Sequence, residues 1–338
     1  MPLRMFDSLL PYYGGKRKLC PVIFKQIYRY LPQDKWFSST FVDAFLGSGA
    51  MSLYAKARGF KIIGNDISER SYIAGKALIE NNRVKIDQTD IDRLFLPHSN
   101  NTHFIEKEFA PDVFLPRHAK FLDNALLNAD SYLDKYLLIK YVFALRPFSK
   151  FSSPNAFNRP LAEGSFDRIK HTYVNHIKDN LKPSLTILRI LKDMINKGIF
   201  SNGEENEVFK EDAFDFIDKV AGDVLYLDPP YVNTLSYEQE YEVLDKILDD
   251  TQPKSEFSTE EGLMGLDLFL ERAERFPLWV ISYGSAGGRT QLNEVKQIVA
   301  KYRKCEAMEF AYKHCEAVAS EDHKSRNKEF LLIGYQAS

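Results

Sequence analysis

Residues 225–231 read Leu-Tyr-Leu-Asp-Pro-Pro-Tyr, an apolar run that stops at an acid, two prolines and an aromatic. A strand-forming run delivers Asp228 to the carboxyl end of a sheet, where Pro229 and Pro230 fix the backbone and withhold two amide donors. Ligands of open α/β sheets sit outside the carboxyl ends of the strands, so a rigid acid and aromatic there are well placed for chemistry. A plain turn that begins with Asp accounts for the same four residues equally well. The rest of the chain has to decide.

The form recurs on either side. "STFVDAFLGSG" (39–49), "FKIIGNDIS" (60–68), "LWVISYGS" (278–285) and "EFLLIGYQ" (329–336) are further candidate strands. Helical patterns fall near 50–58, 69–81, 259–275 and 289–302, the last with Leu292, Val295, Ile298, Val299 and Tyr302 at helical spacing. Strands alternating with helices predict an α/β fold with a largely parallel sheet covered on both faces, in which the last strand would be an antiparallel edge. Between about 90 and 185 the alternation fades into one helical candidate over 119–145 and the loop-like "RPFSKFSSPNAFNRPLAEGSFD" (146–167). Its aromatic and leucine content is too high for a solvated tether, so the region reads as an inserted second domain. The acidic stretch 238–261 reads as an outer face with no chemistry assigned to it.

A chain of 338 residues fits about two structural units, or one domain with a large insertion. Apolar content of 44% and charged content of 27% are those of a soluble globular protein. No leader-like start and no membrane-length apolar run is present, so a cytoplasmic protein is expected. Cys20, Cys305 and Cys315 form neither a disulfide framework nor a zinc motif, and the seven histidines do not cluster, so no metal is expected. The net charge of −2 hides an asymmetry: from Lys140 to Lys197 eleven Lys/Arg stand against four Asp/Glu. Such a local excess among Phe, Tyr, Asn and Ser suits a phosphate-binding surface, and a solvated helix face accounts for the charge alone equally well.

Three stretches suggest a cofactor site. In "FVDAFLGSGAMS" a strand precedes Gly47 and Gly49, with a helix expected to start near Ser48 and present free amides. Asp66 ends the next strand, at a position suited to ribose hydroxyls. These features fit any nucleoside cofactor, NAD included, but Ser52 stands where a dinucleotide fingerprint has its third glycine. Asp43 favours one of them, because an acid at the glycine turn repels a pyrophosphate and attracts the cationic amino group or sulfonium of S-adenosylmethionine, although a capping acid at a strand end also accounts for it. In "PYYGGKRKL" (11–19), Gly14 and Gly15 permit close backbone approach, and Tyr12 and Lys16 suit a ligand carboxylate or, equally, a phosphate.

Taken in order, Tyr12-Tyr13-Gly14-Gly15-Lys16, Phe41-Val42-Asp43-Ala44-Phe45-Leu46-Gly47-Ser48-Gly49, Asn65-Asp66-Ile67 and Asp228-Pro229-Pro230-Tyr231 resemble the motifs of the Dam-type DNA adenine-N6 methyltransferases, in their alpha-group order. The resemblance covers nearly the whole chain. It implies a Rossmann-like, mostly parallel sheet with an inserted, mainly helical and loop target-recognition domain. The divisions would be a cofactor half (1–88), the insert (89–185) and the Asp-Pro-Pro-Tyr half (186–338). It implies S-adenosylmethionine contacts at Tyr12, Lys16, Asp66 and Asp228, with Asp43, Phe45, Gly47, Gly49 and Ile67 in the same pocket and Asp212 facing the cofactor adenine. "AFNRP" (156–160) after Arg146 is similar to a family segment near the DNA, which suggests Arg146, Lys150, Asn158 and Arg159 as DNA contacts. Pro147 and Phe148 depart from the asparagine common after that arginine, which weakens transfer of those contacts.

The opening question then has a chemical answer. The adenine amine is a poor nucleophile because its lone pair is delocalised; Asp228 and a carbonyl of Pro229-Pro230 accept its hydrogens, and Tyr231 offers a face to a base flipped out of the duplex. Duplex DNA is thus the expected partner, and a restriction endonuclease acting on the same site would be a second. An RNA adenine or cytosine-N4 methyltransferase would use a similar pocket, although cytosine enzymes more often resemble a Ser-Pro-Pro-Tyr form. A non-catalytic DNA-binding protein on the same fold and a nicotinamide dehydrogenase are the rivals of other classes.

Overall fold

Neighbouring residues of a strand face opposite sides of a sheet, so a strand buried on both faces has to be apolar throughout. The computed structural model describes residues 4–12, 15–111, 113–145, 183–231, 241–250, 255, 257, 259, 261–285, 290–311 and 328–336. Its strands are β1 (Thr40–Asp43), β2 (Lys61–Asn65), β3 (Glu207–Phe209), β4 (Val224–Leu227), β5 (Leu278–Gly284), β6 (Lys304–Ala311) and β7 (Lys328–Tyr335). Phe41, Tyr226, Val280 and Leu331 enter one buried cluster, and their chain neighbours Val42, Leu225, Ile281 and Leu332 enter another. The sheet is therefore the middle layer of three.

The strands pair in the order β3-β2-β1-β4-β5-β7-β6. All pairs up to β5 are parallel, and β7 runs antiparallel to both β5 and β6. This mostly parallel α/β sheet agrees with the fold expected from the sequence, with one correction. β7 is antiparallel but it is not an edge; it lies between β5 and β6. The sequence reading missed both true edges. β3 has only three residues, and β6 (Lys-Cys-Glu-Ala-Met-Glu-Phe-Ala) carries charges that break an apolar run.

Helices α1 (Cys20–Tyr30), α2 (Ala50–Lys56) and α3 (Glu69–Gly75), the last continued by a π-helical turn over Lys76–Glu80, cover the first face. Then come α4 (Gln88–Leu94), α5 (Phe104–Phe109), α6 (Pro116–Leu127), α7 (Tyr132–Leu145) and α8 (Ser184–Asn196), whose apolar residues extend that same cluster. Helices α9 (Ala213–Lys219), α11 (Gly262–Arg272) and α12 (Leu292–Ala300) cover the second face, and α10 (Glu242–Ile247) adds Val243 and Leu244 to the first. Among the described residues no helix is long and apolar enough to cross a membrane. The single helix expected over 119–145 is two, because Asp134 accepts the Ser131 amide and hydroxyl (3.0 and 2.9 Å) and starts α7 afresh. The helix expected near Ser48 starts at Ala50, after Gly49 at φ 75°.

Helix α7 also anchors the amino-terminal segment. Tyr136 donates to the Ser8 carbonyl and Lys140 to the Leu9 carbonyl, both at 2.8 Å, and Arg17 donates to the Leu10 carbonyl. Lys140 is only 4% exposed, so it does not belong to the phosphate-binding surface read from the basic stretch. Lys197, at the other end of that stretch, pairs with Asp7 at 2.9 Å. Residues 146–182, which carry the remaining expected phosphate contacts but for Arg189 and Lys192, lie outside the described residues. Replacing Lys140 by Met strands a buried carbonyl, so Lys140→Met should lower stability by about 2 kcal/mol. Unfolding midpoints in urea check this, and an unchanged midpoint would contradict the anchor.

Candidate active site

The carboxyl ends of β1, β2 and β4 open onto a cavity of about 280 Å³. Of the residues expected from sequence, Tyr12, Lys16, Asp43, Phe45, Gly47, Asp66, Ile67, Asp212, Asp228 and Pro230 line it. Gly49 does not line the cavity; it sits behind the turn as the residue preceding α2. Pro229 is buried beside it, and Tyr231 turns to one side. Tyr13 and Gly14, with Arg146, Lys150, Asn158 and Arg159, lie outside the described residues.

An ion cluster forms the β4 end of the cavity. Lys16 Nζ lies 3.0 Å from Asp228 Oδ1 and 3.2 Å from Glu329 Oε1, and it donates to the Tyr231 hydroxyl at 2.7 Å. That hydroxyl lies 3.1 Å from Asp228 Oδ1 and 3.2 Å from Glu329 Oε1, so its single proton serves one carboxylate at a time. Asp228 Oδ2 has no hydrogen-bond partner among the described residues, and the side chain is 21% exposed toward the cavity. Burial works against the Lys16 ammonium, yet Asp228 and then Glu329 outweigh it and hold its pKa above the ordinary lysine value. Burial raises the Asp228 carboxyl; Lys16 pulls it down, Glu329 pushes it back, and the net direction is up.

Tyr231 does not stand free as a stacking face in this arrangement. Its ring centroid is 5.1 Å from that of Tyr283, and a Cβ on Gly284 would fall 2.3 Å from its Cε2. Only glycine at the end of β5 lets the ring lie there.

The glycine turn and the second strand are joined by Asp66. Its Oδ2 accepts the Gly47 amide at 2.8 Å and its Oδ1 accepts the amide and hydroxyl of Ser68 (2.9 and 2.7 Å). Gly47 has φ 52°, a left-handed conformation that favours glycine, and the Tyr12 ring packs against it. Asp43 is 1% exposed and its Oδ2 accepts the Ser52 hydroxyl at 2.6 Å. Burial pushes its carboxyl up to about 7; Ser52 opposes this, and Asp228 and Asp66 add to it. Asp212 is exposed and caps α9 by accepting the Phe214 amide at 2.8 Å. Phe45, Phe214 and Phe257 make an aromatic wall, with Phe214 and Phe257 stacked at 5.6 Å and Phe45 edge-on to Phe257 at 5.1 Å.

Several site residues escaped the sequence reading. Glu329 is one; its signal is an acid heading the otherwise apolar run of β7. Arg70 lines the cavity, its Nη1 held by both Asp245 oxygens (2.5 and 2.6 Å) and its guanidinium 4.5 Å over the Tyr241 ring. The acidic stretch 238–261 is thus not merely an outer face: Asp245 holds Arg70, and Asp250 accepts the first amide of α3 at 2.7 Å and pairs with Lys210. Nothing in the local pattern distinguishes those acids from their exposed neighbours. Among the described residues one group, His103, Glu106 and Asp123, is close enough to hold a metal ion. Both Asp123 oxygens already accept amides, and none of the three lines the cavity.

The site has open valences that suit a particular kind of ligand. Asp43 Oδ1, Arg70 Nε and the Tyr226 hydroxyl are buried, belong to residues lining the cavity, and have no hydrogen-bond partner among the described residues. Buried polar groups are normally satisfied, so an acceptor, a donor and a hydroxyl left open around one cavity fit a ligand carrying both charges and an aromatic ring. S-adenosylmethionine is such a ligand, with an ammonium, a carboxylate and an adenine.

Comparison with known proteins agrees. The chain is 25% identical over 344 residues to the type II methyltransferase M2.HphI of Haemophilus parahaemolyticus, covering 95% of this chain and 96% of that one. It is 25% identical over 257 residues to the modification methylase StsI of Streptococcus sanguinis, covering 72% of this chain and 36% of that one. With the type II methyltransferase M.NlaIII of Neisseria lactamica it shares 23% identity over 352 residues, 95% of this chain and 98% of that one. A family model matches residues 12–260, from the tyrosine at the glycine turn to beyond the Asp-Pro-Pro-Tyr segment, and by that match the chain belongs to the D12 class N6 adenine-specific DNA methyltransferases.

Proposed function

We propose that this family member is a site-specific enzyme that methylates the exocyclic N6 of a flipped-out adenine in duplex DNA, with S-adenosylmethionine as donor. The observation that carries the reading is Asp228: one oxygen is fixed by Lys16 and Tyr231, and the other is open to the cavity. When bound, the cofactor supplies a methyl group made electrophilic by a sulfonium. Asp228 Oδ2 accepts a hydrogen of the adenine amine and draws its lone pair out of the ring, while the prolines hold the acceptor still. The open Arg70 Nε suits the cofactor carboxylate, Asp43 its cationic end, Asp66 the ribose, and the wall of Phe45 and Phe214 beside Asp212 the adenine, while Lys16, expected on the cofactor, has its three N–H bonds committed to Asp228, Glu329 and Tyr231. Tyr231 would offer the target base the part of its ring not packed on Tyr283, with its hydroxyl kept on Lys16, Asp228 and Glu329.

Residues 89–185 would serve as the target-recognition segment, with Arg146, Lys150, Asn158 and Arg159 on the DNA. The relatives' names, type II methyltransferase and modification methylase, support a restriction-modification setting with an endonuclease of the same specificity.

Asp228→Ala should lower turnover by about a hundredfold or more while cofactor binding is retained or weakened. Methyl transfer to duplex DNA and equilibrium cofactor binding measure the two separately, and undiminished turnover would sink the assignment. A cation bound beside Asp43 favours the ionised carboxyl, so cofactor affinity should rise with pH up to about 7 and then level off. In the free protein the sign reverses: a carboxyl raised in the folded state loses stability as pH climbs from 3.8 to about 7. Calorimetric titration across this window checks the affinity, and Asp43→Asn should flatten it; equal pH dependence in both proteins would refute the pairing. Lys150→Glu should weaken DNA binding and reduce the slope of log K against log salt by about 1. An unchanged slope would move the DNA surface elsewhere.

A further inference from the structure

We propose that Glu329 is a positioning residue of the catalytic centre: it holds Lys16 and Tyr231 so that Asp228 keeps one oxygen for the target amine. The inference rests on the reading of Asp228 given above and adds to it a residue that no motif contains.

Glu329 is 1% exposed at the start of β7, opposite Gly284 in the register with β5. β7 runs against the other strands, so its first residues lie at the carboxyl edge, where the cavity opens. Three elements converge on the side chain: Lys16 from the amino-terminal segment at 3.2 Å, Tyr231 after β4 at 3.2 Å, and the Ser282 hydroxyl from β5, which donates at 2.7 Å. A buried carboxylate heading an apolar strand costs stability compared with an apolar residue, even when paired, so its presence at a catalytic edge points to a role.

Charge defines that role. With Glu329 ionised, two carboxylates share one ammonium, and the cluster is net negative where the reaction brings positive charge onto the adenine nitrogen. Without it, Lys16 would neutralise Asp228 one to one and weaken it as an acceptor. Glu329 also offers the Tyr231 hydroxyl a second acceptor, so Asp228 is not its sole partner.

The test is Glu329→Gln in the full chain, which keeps the shape and removes the charge. Cofactor affinity by calorimetry should stay within about threefold of wild type, while the single-turnover rate of N6-methyladenine formation at saturating cofactor and DNA should fall by about tenfold or more. A merely structural role would lower the melting temperature and leave the rate per folded molecule within about twofold, and that result would overturn the proposal. Should Glu329→Gln not fold, Ser282→Ala decides; it removes the hydroxyl that donates to Glu329 and should slow the rate by about threefold at unchanged affinity, and an unchanged rate would overturn the proposal.

The double variant Lys16→Met/Glu329→Gln supplies a coupling readout. Lys16→Met leaves two close carboxylates without their ammonium, so adding Glu329→Gln should restore about threefold of the lost rate. Additive losses would overturn the proposal. A wild-type protein that forms no N6-methyladenine would bring down the underlying reading, whereas an active wild type with an equally active Glu329→Gln brings down this inference alone.

Discussion

A buried ammonium holds its proton most firmly beside counter-charges, and Lys16, 3% exposed, has two of them. Much of the architecture serves to bring them together. Asp228 arrives because β4 ends at the carboxyl edge and the prolines forbid the chain to continue as strand or helix. Glu329 arrives because β7 is inserted backwards between β5 and β6; a parallel strand there would begin at the opposite edge. Lys16 arrives on a segment pinned by α7 through the Ser8 and Leu9 carbonyls. Loss of Lys16 would leave two buried carboxylates without their counter-charge, and this couples the two ends of the chain to its middle.

The same accounting explains how the fold and the cofactor site are joined. Asp66 bonds the Gly47 amide on one side and the start of α3 on the other, so the turn after β1 and the turn after β2 move as one. Asp250 and Asp245 hold α3 from outside, and α3 in turn carries Arg70 into the cavity. Around the cavity Asp43, Arg70 and Tyr226 each keep an open polar atom, and a ligand there would complete the hydrogen bonding. Functional sites are where native proteins leave local requirements unmet.

The legible part of this in the sequence was the part with a strong local signature. Apolar runs ending in Asp43, Asp66 and Asp228 located the central strands, and the glycine turn located the cavity, because strand burial and tight turns restrict composition over a few adjacent residues. The strand β3 is too short to show a period, and β6 interleaves charges with apolar residues. The Lys16–Glu329 contact joins residues at opposite ends of the chain, and Arg70 finds its carboxylate at Asp245; neither is visible to local spacing. Lys140 misled the reading in the other direction, since a charge count cannot tell a lysine on the surface from one turned inward onto a backbone carbonyl.

The most direct measurement is to incubate the purified protein with S-adenosylmethionine and unmethylated duplex DNA of mixed sequence, digest the DNA, and identify the methylated nucleosides by mass spectrometry. N6-methyldeoxyadenosine that depends on both additions is the expected product. N4-methyldeoxycytidine alone would keep the cavity and overturn the target base, and DNA free of any methylated nucleoside would contradict the account.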